Sequence, residues 1–318
     1  MPISRPSLRA VAVPLCAALA LVLLGAHTGR AAAVAPAACA TAPAAGTYDV
    51  SVVSGGVERS ALVHVPATIP TGVPVPLLLA LHGAYGSGSG MQSYSGFSNL
   101  ADADDFIVAY PSTAGRFWNI SATVNQANDV AFIGALIATL EATMCIDTSR
   151  VFAAGVSNGA GMVALLACSL STQLAGIAAV AGDYDNLPPC HLRRAVPLLE
   201  IHGTADQIAA YRGKSGRASA NGLPPFVNAW ATRDGCAGAP TSRAVGPRTV
   251  LFQWGRCARG STVEHIRITG GRHQWPGATP PDPGPRATIC ASCTIWSFFS
   301  SLGQQHLPPP AASGGAPA

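Results

Sequence analysis

Charge is what this sequence has least of. Asp, Glu, Lys and Arg make up 11% of its 318 residues, against about 25% in an average soluble domain. Lysine occurs once, at Lys214, and the arginines are scattered with no dense basic run. The formal net charge of +4 therefore forms no stripe that would hold a phosphate backbone, and nucleic acid is excluded as a partner. Beyond the N-terminal segment, no apolar stretch reaches the roughly 20 residues of a membrane span without Gly, Pro or charge. There is no second Cys-x-x-Cys and no His cluster to join Cys290 and Cys293, so no metal site is expected. The Gly-rich loop from His82 to Gly88 carries neither Gly-Lys-Ser/Thr nor a complete Gly-x-Gly-x-x-Gly, so it does not read as a phosphate cradle, and no cofactor is implied.

Apolar residues are plentiful, at 49%, alongside 34 Gly, 26 Pro and nine Cys. Arg5 and Arg9 precede an apolar run from Ala10 to Leu24, and Ala31-Ala32-Ala33 follows. A basic start, a short apolar centre and a small-residue cleavage site describe a secretory signal over residues 1–33. Pro14, Gly25 and His27 interrupt the run and argue against an anchor. Its removal takes Arg5, Arg9 and Arg30 and leaves a mature chain of net charge +1, with no membrane partner. It also leaves eight Cys: an even number in an exported chain, which predicts disulfides. Eight cysteines allow 105 pairings; Cys236 and Cys257, which bracket one predicted strand, form the best pair, and Cys290 and Cys293 are expected to be used in disulfides rather than at a metal.

Residues 34–46 are an Ala/Pro-rich leader, and residues 304–318 form a low-complexity tail. Between them, patterns of period two and period 3.6 alternate. Strands are predicted at Thr47–Val53, Arg59–Val65, Leu77–Leu81, Phe106–Tyr110, Val151–Val156, Gly176–Ala181, Pro197–His202, Val250–Trp254 and Val263–Ile268. Helices are predicted at Met91–Asp104, Val130–Met144, Asn158–Cys168, Pro225–Asp234 and Thr294–Leu302. Strands alternating with helices specify an α/β fold, with a mainly parallel central sheet flanked by helices in a single domain over 47–303.

The chemistry is concentrated in Gly155-Val156-Ser157-Asn158-Gly159, a Gly-x-Ser-x-Gly between a buried strand and a helix. That context makes it a nucleophile elbow, with the helix N-terminus aimed at the reacting carbonyl. A serine nucleophile needs a base, and the base an orienting acid, in the chain order Ser, acid, His. His202 and His265 lie within strand runs and read as packed, His191 lies in a loop, and His306 lies in the tail. His273, in a Gly-rich loop directly after the last strand, is the expected base. Asp206, just past a buried strand at the carboxyl edge of the sheet, is the expected acid. Asp183 and Asp185 come second, and Asp234 reads as a helix cap. The oxyanion is expected to be held by the amide of Asn158 and by that of Ala84, with Tyr85 as the alternative. His82 reads as structural, its ring tied to nearby backbone. Asp129, beside Asn128, reads as tying down a loop. Tyr85, Trp118 and Trp275 are candidate substrate contacts.

These residues sit in segments that resemble the secreted polyhydroxybutyrate depolymerase and feruloyl esterase group of α/β-hydrolases. The segments are Leu81-His82-Gly83, Arg116-Phe117-Trp118-Asn119, Asp129-Val130-Ala131-Phe132, Ile146 to Val151, Gly155 to Gly159, Ile201 to Asp206, His273-Gln274-Trp275-Pro276-Gly277 and Ile295 to Phe299. The resemblance implies the α/β-hydrolase fold and a serine esterase with Ser157, Asp206 and His273 as triad. It departs at Ala84-Tyr85, where depolymerase-like members often carry Cys and Gln, and at Arg272, where Gly is usual. No polymer-binding module follows. The expected substrate is therefore an ester, small or polymeric: a feruloyl or acetyl ester of polysaccharide, or a hydroxyalkanoate. The expected state is a secreted monomer. The competing readings are a secreted serine peptidase on the same fold and an inactive surface-binding homologue.

Overall fold

A computed structural model describes Cys39 and residues 43–121, 127–185, 187–213, 223–279 and 289–304. The expected signal segment, Lys214, His306 and the end of the tail lie outside the described residues. Within them the order of elements is β1 (Gly46–Ser54), β2 (Val57–Val65), β3 (Val75–Leu81), α1 (Gly88–Ser95), α2 (Phe97–Asp104), β4 (Ile107–Pro111), α3 (Asp129–Thr143), β5 (Ile146–Val156), α4 (Asn158–Ser169), β6 (Gly176–Val180), β7 (Leu198–Gly203), α5 (Leu223–Arg233), β8 (Thr241–Gly246), β9 (Thr249–Trp254), β10 (Val263–Ile268) and α6 (Ala291–Gln304).

All ten strands form one sheet in the order β1-β2-β4-β3-β5-β6-β7-β10-β9-β8. The middle, from β4 through β3, β5, β6 and β7 to β10, is parallel. Antiparallel strands extend it at both edges. The central strands are apolar on both faces: all seven residues of β3 are buried. Such strands need cover on both sides. Their alternation divides the core in two. Leu77, Leu79 and Leu81 pack with α3, α4 and α5 on one side. Leu78 and Ala80 pack with α1, α2 and α6 on the other. On that second side, Phe152 of β5 stacks on Phe299 of α6 at 4.5 Å between ring centroids.

The predicted helix Met91–Asp104 is two helices, because Gly96 between them adopts φ 67°, ψ 17° and ends the first in a left-handed cap. β8 was not predicted: its six residues bury no face, so they carry no period-two signal. Cys236–Cys257 forms as expected, but it brackets the β8–β9 hairpin rather than one strand. Cys290–Cys293 is a disulfide, and Cys168–Cys190 and Cys39–Cys145 pair the rest. Cys39, from the Ala/Pro-rich leader, is buried and crosslinked across 106 positions. No described helix is long and apolar enough to cross a membrane.

Candidate active site

β5 delivers Ser157 to the carboxyl edge of the sheet and α4 begins one residue later. The turn between them is too tight for ordinary backbone: Ser157 has φ 55° and ψ −121°, a conformation that costs a non-glycine residue on the order of 1–3 kcal/mol. Neighbouring glycines make the turn possible. A Cβ on Gly155 would lie 2.9 Å from the Ala160 nitrogen, and one on Gly159 would lie 2.6 Å from the Leu81 carbonyl oxygen. The turn is held from outside as well. The Ser157 amide donates to Val180 O at 2.9 Å, and Ser157 O accepts from the Asp183 amide at 3.2 Å.

The loop after β3 runs alongside. Gly83 approaches closely, since a Cβ there would touch that of Ser157 at 3.4 Å. The Tyr85 amide donates to Arg116 O at 2.6 Å and the Gly86 amide to Gly83 O at 3.1 Å. Those of Ala84 and Asn158 donate to nothing among the described residues. Of the two amides weighed from sequence, Tyr85's is occupied and Ala84's is open. His82 braces the loop: Nδ1 donates to Gly83 O at 2.7 Å, and Nε2 accepts from the Thr113 amide at 3.3 Å. Burial holds its pKa below the ordinary value, which matches the neutral Nδ1–H tautomer these contacts require.

β7 and β10 are parallel neighbours, so their following loops leave the same edge. They meet. The Ala205 amide donates to Gly271 O at 2.9 Å, and the Gly270 amide donates to Thr204 Oγ1 at 2.9 Å. This contact sets His273 Nδ1 2.8 Å from Asp206 Oδ2. Asp206 is buried, whereas the His273 side chain is 17% exposed. The other Asp206 oxygen accepts the Ile208 and Ala209 amides at 2.8 and 2.9 Å. Burial alone would raise this carboxyl, but hydrogen bonds from His202 and His273 hold it well below the usual carboxylate range. Ser157 and His273 share no hydrogen bond among the described residues. Both border Asp183, whose amide holds Ser157 O and whose carboxyl feels the His273 charge. Burial raises the Asp183 carboxyl.

Behind Asp206 lies a buried group that includes His202 and His265, the two histidines that the sequence places within strands. Glu200 and His202 alternate with apolar residues on β7 and are both buried. His202 Nδ1 lies 2.9 Å from Glu200 Oε1, and Nε2 lies 2.8 Å from Ala209 O and 3.1 Å from Asp206 Oδ2. Burial disfavours a charge on His202, but Glu200 and Asp206 outweigh it and push its pKa up to about 10. Glu200 Oε2 receives His265 Nδ1 at 2.8 Å, and His265 Nε2 meets the Tyr211 hydroxyl at 3.0 Å. The available signal was a glutamate inside an otherwise apolar buried strand, since a carboxylate there requires partners.

Trp118 and Trp275 do not line an open cleft. Trp118 is 2% exposed, and its indole N–H donates to His82 O at 2.9 Å. Its main chain clasps the Asn158 side chain, at 2.7 Å from the Trp118 amide to Oδ1 and 3.2 Å from Nδ2 to Trp118 O. Trp275 is 1% exposed and packs edge-on against Phe97. Both are core residues that brace the site. Tyr85 is 69% exposed and its ring meets that of Phe117 edge-on at 4.8 Å. Arg272 is exposed. Asp234 occupies the C-terminal cap position of α5, its amide donating to Trp230 O at 2.9 Å, and its carboxyl also accepts the Val196 amide at 3.1 Å and the Ser261 hydroxyl at 2.5 Å.

A strained serine between a buried strand and a helix, with an Asp–His pair on the loops after β7 and β10 at the same edge of a mostly parallel sheet, is the arrangement of an α/β-hydrolase. The Esterase PHB depolymerase family matches residues 48–184, a span that includes Ser157 and ends before Asp206. Feruloyl esterase B of Piromyces equi is 29% identical over 229 residues, which are 68% of this chain and 42% of that protein. The chain thus spans less than half the length of that relative. NocK of Nocardia uniformis subsp. tsuyamanensis is 31% identical over 231 residues, 65% of this chain and 67% of that protein. Among solved structures, an acetyl xylan esterase from Aspergillus awamori matches with a TM-score of 0.60 at 16% identity, over 80% of this chain and 99% of that one. The chain belongs to the polyhydroxybutyrate depolymerase and feruloyl esterase group of the α/β-hydrolase superfamily.

Proposed function

We propose that the protein is a secreted serine esterase in which Ser157 is the nucleophile, His273 the base and Asp206 the residue that orients it. The observation that carries this reading is the His273–Asp206 pair, 2.8 Å apart, at the same sheet edge as the strained Ser157. His273 accepts the Ser157 hydroxyl proton on Nε2 as Oγ attacks the ester carbonyl. The open amides of Ala84 and Asn158 hold the oxyanion. Asp206 keeps the proton on Nδ1 and stabilises the imidazolium without taking the proton. His273 then protonates the departing alkoxide, the C–O bond breaks, and an acyl-Ser157 ester remains. Water repeats the sequence: His273 takes its proton, the hydroxide oxygen bonds to the acyl carbon, and Ser157 leaves with a proton from His273.

Tyr85, exposed beside the oxyanion loop, is the substrate contact in this reading. The substrates are feruloyl or acetyl esters of polysaccharide, or hydroxyalkanoate esters. Membership of the group and the similarity to a feruloyl esterase support the ester class. The signal over residues 1–33 and four disulfides support export. The test is turnover of p-nitrophenyl acetate and labelling by a fluorophosphonate. The wild type is expected to do both and Ser157→Ala neither. Near-full turnover in Ser157→Ala would overturn the reading, as would a wild type that hydrolyses peptides and no ester.

A further inference from the structure

Among the described residues, the buried polar groups that this mechanism leaves unused gather behind Asp206. Each ring nitrogen of His202 faces only acceptors. Nδ1 meets the Glu200 carboxylate, and Nε2 meets the Ala209 carbonyl and Asp206 Oδ2. An imidazole with one bare nitrogen would set a lone pair against a carboxylate or a carbonyl in a buried site. A ring that donates from both nitrogens satisfies every contact, and that ring is the imidazolium. Asp206 completes the pattern: Oδ1 accepts two backbone amides, and Oδ2 accepts His273 on one side and His202 on the other. All four lone-pair positions are filled, so the carboxylate has one orientation.

We propose that His202 is a positioning residue that stays protonated throughout the catalytic pH range, pinning Asp206 for His273 and lowering the pH at which His273 becomes a free base. The inference rests on the reading of Asp206 and His273 as the acid–base pair. The sign follows from charge. A fixed cation on the far side of Asp206 disfavours a second cation at His273, so His273 loses its proton at lower pH. Groups of both signs face His202. Glu200 from its own strand supplies the opposite charge. His265 of β10 donates Nδ1 to Glu200 and meets the Tyr211 hydroxyl with Nε2. Tyr184 donates to Glu200 Oε1 at 3.3 Å. Tyr184 and Tyr211 are held neutral by burial. Arg267 stands beside His202 in the β7–β10 register and adds positive charge at Tyr211.

Two measurements test this. In ¹⁵N spectra of the full-length protein, both His202 ring nitrogens should carry protons at pH 8, where an ordinary His is neutral. A neutral His202 at pH 8 would overturn the proposal, and the spectrum needs no activity. In kcat/KM profiles on p-nitrophenyl acetate, His202→Gln should move the acid limb up by about one pH unit, the order expected for one partly screened charge a few ångströms away. Adding Glu200→Gln removes the matching negative charge and should bring the limb back to within about 0.3 unit of wild type. A purely structural His202 would lower kcat/KM and leave the limb unmoved, which would overturn the proposal. A wild type without esterase activity would fail the functional reading alone, with the spectrum still deciding the protonation of His202.

Discussion

Replacing Asp129 by Asn should destabilise the protein strongly and weaken the active site at a distance. Arg59 of β2 and Asp129 at the start of α3 form an ion pair at 2.7 Å, with side chains 5% and 1% exposed. The guanidinium lies over the Phe132 ring at 4.1 Å and also donates to Ser112 O at 3.3 Å. Asp129 Oδ2 accepts the Asn119 amide at 2.8 Å. Asn keeps an acceptor for that amide only by turning its NH2 toward Arg59, so the pair loses its charge and its hydrogen bond together. The substitution strands a buried cation, at a cost of about 3–5 kcal/mol. With about 2–4 °C per kcal/mol for a domain of this size, the melting temperature should fall by roughly 6–20 °C. Removing both charges, as in Arg59→Met with Asp129→Asn, leaves no stranded ion and should recover to within about 2 kcal/mol of wild type. The pair also reaches the site, because Asn119 follows Trp118, which clasps Asn158 beside Ser157. Loosening that clasp should lower kcat about tenfold, short of the roughly 10²–10³ expected on losing an oxyanion donor outright. Thermal melts and p-nitrophenyl acetate kinetics at 25 °C read both effects. A drop in melting temperature under about 2 °C, or single-variant losses that simply add in the double variant, would refute the buried-pair reasoning.

Two further substitutions probe the frame of the site. A Cβ on Gly203 would lie 2.8 Å from Gly271 Cα, where the Asp206 and His273 loops touch. Gly203→Ala should therefore part the pair and cut kcat/KM by about 10², the scale of a 1 Å misplacement. Unchanged kinetics would show that the loops shift together. Asp234 is a stability switch: burial pushes its carboxyl up to about 6 from an unfolded value near 3.8. Stability from its protonated form is present below pH 3.8 and is lost as pH rises through 6. The full span is about 3 kcal/mol, at 1.36 kcal/mol for each unit. Asp234→Asn, neutral throughout, should gain on wild type in melting temperature between pH 4 and 7 and then hold a constant difference. A difference that stays flat from pH 4 to 7 would remove Asp234 from the account.

The parts of the fold that were legible in the sequence are those whose burial writes a period into the residues. β3, β6 and the second half of β5 are apolar on both faces and could only be internal strands, and the Gly-x-Ser-x-Gly at the end of β5 placed the elbow. β8 was invisible because it buries nothing. The break at Gly96 was missed because the apolar period of α1 carries into α2, while the left-handed turn lies in the backbone. At the site, the meeting of Asp206 and His273 was readable from their places after strands, since neighbouring parallel strands send their following loops to one edge of the sheet. What the tryptophans and His202 do was not readable, because it depends on partners far along the chain. Trp118 faces His82 and Asn158, which lie 36 and 40 residues away in sequence, and His265 is 65 residues from the Glu200 it meets. A buried charge announces only that it needs a partner. The sequence Leu-Leu-Glu-Ile-His-Gly states that need twice within three residues of the catalytic-edge loop. Identifying the partner required the β7–β10 register, which sets Glu200 opposite His265 and His202 opposite Arg267.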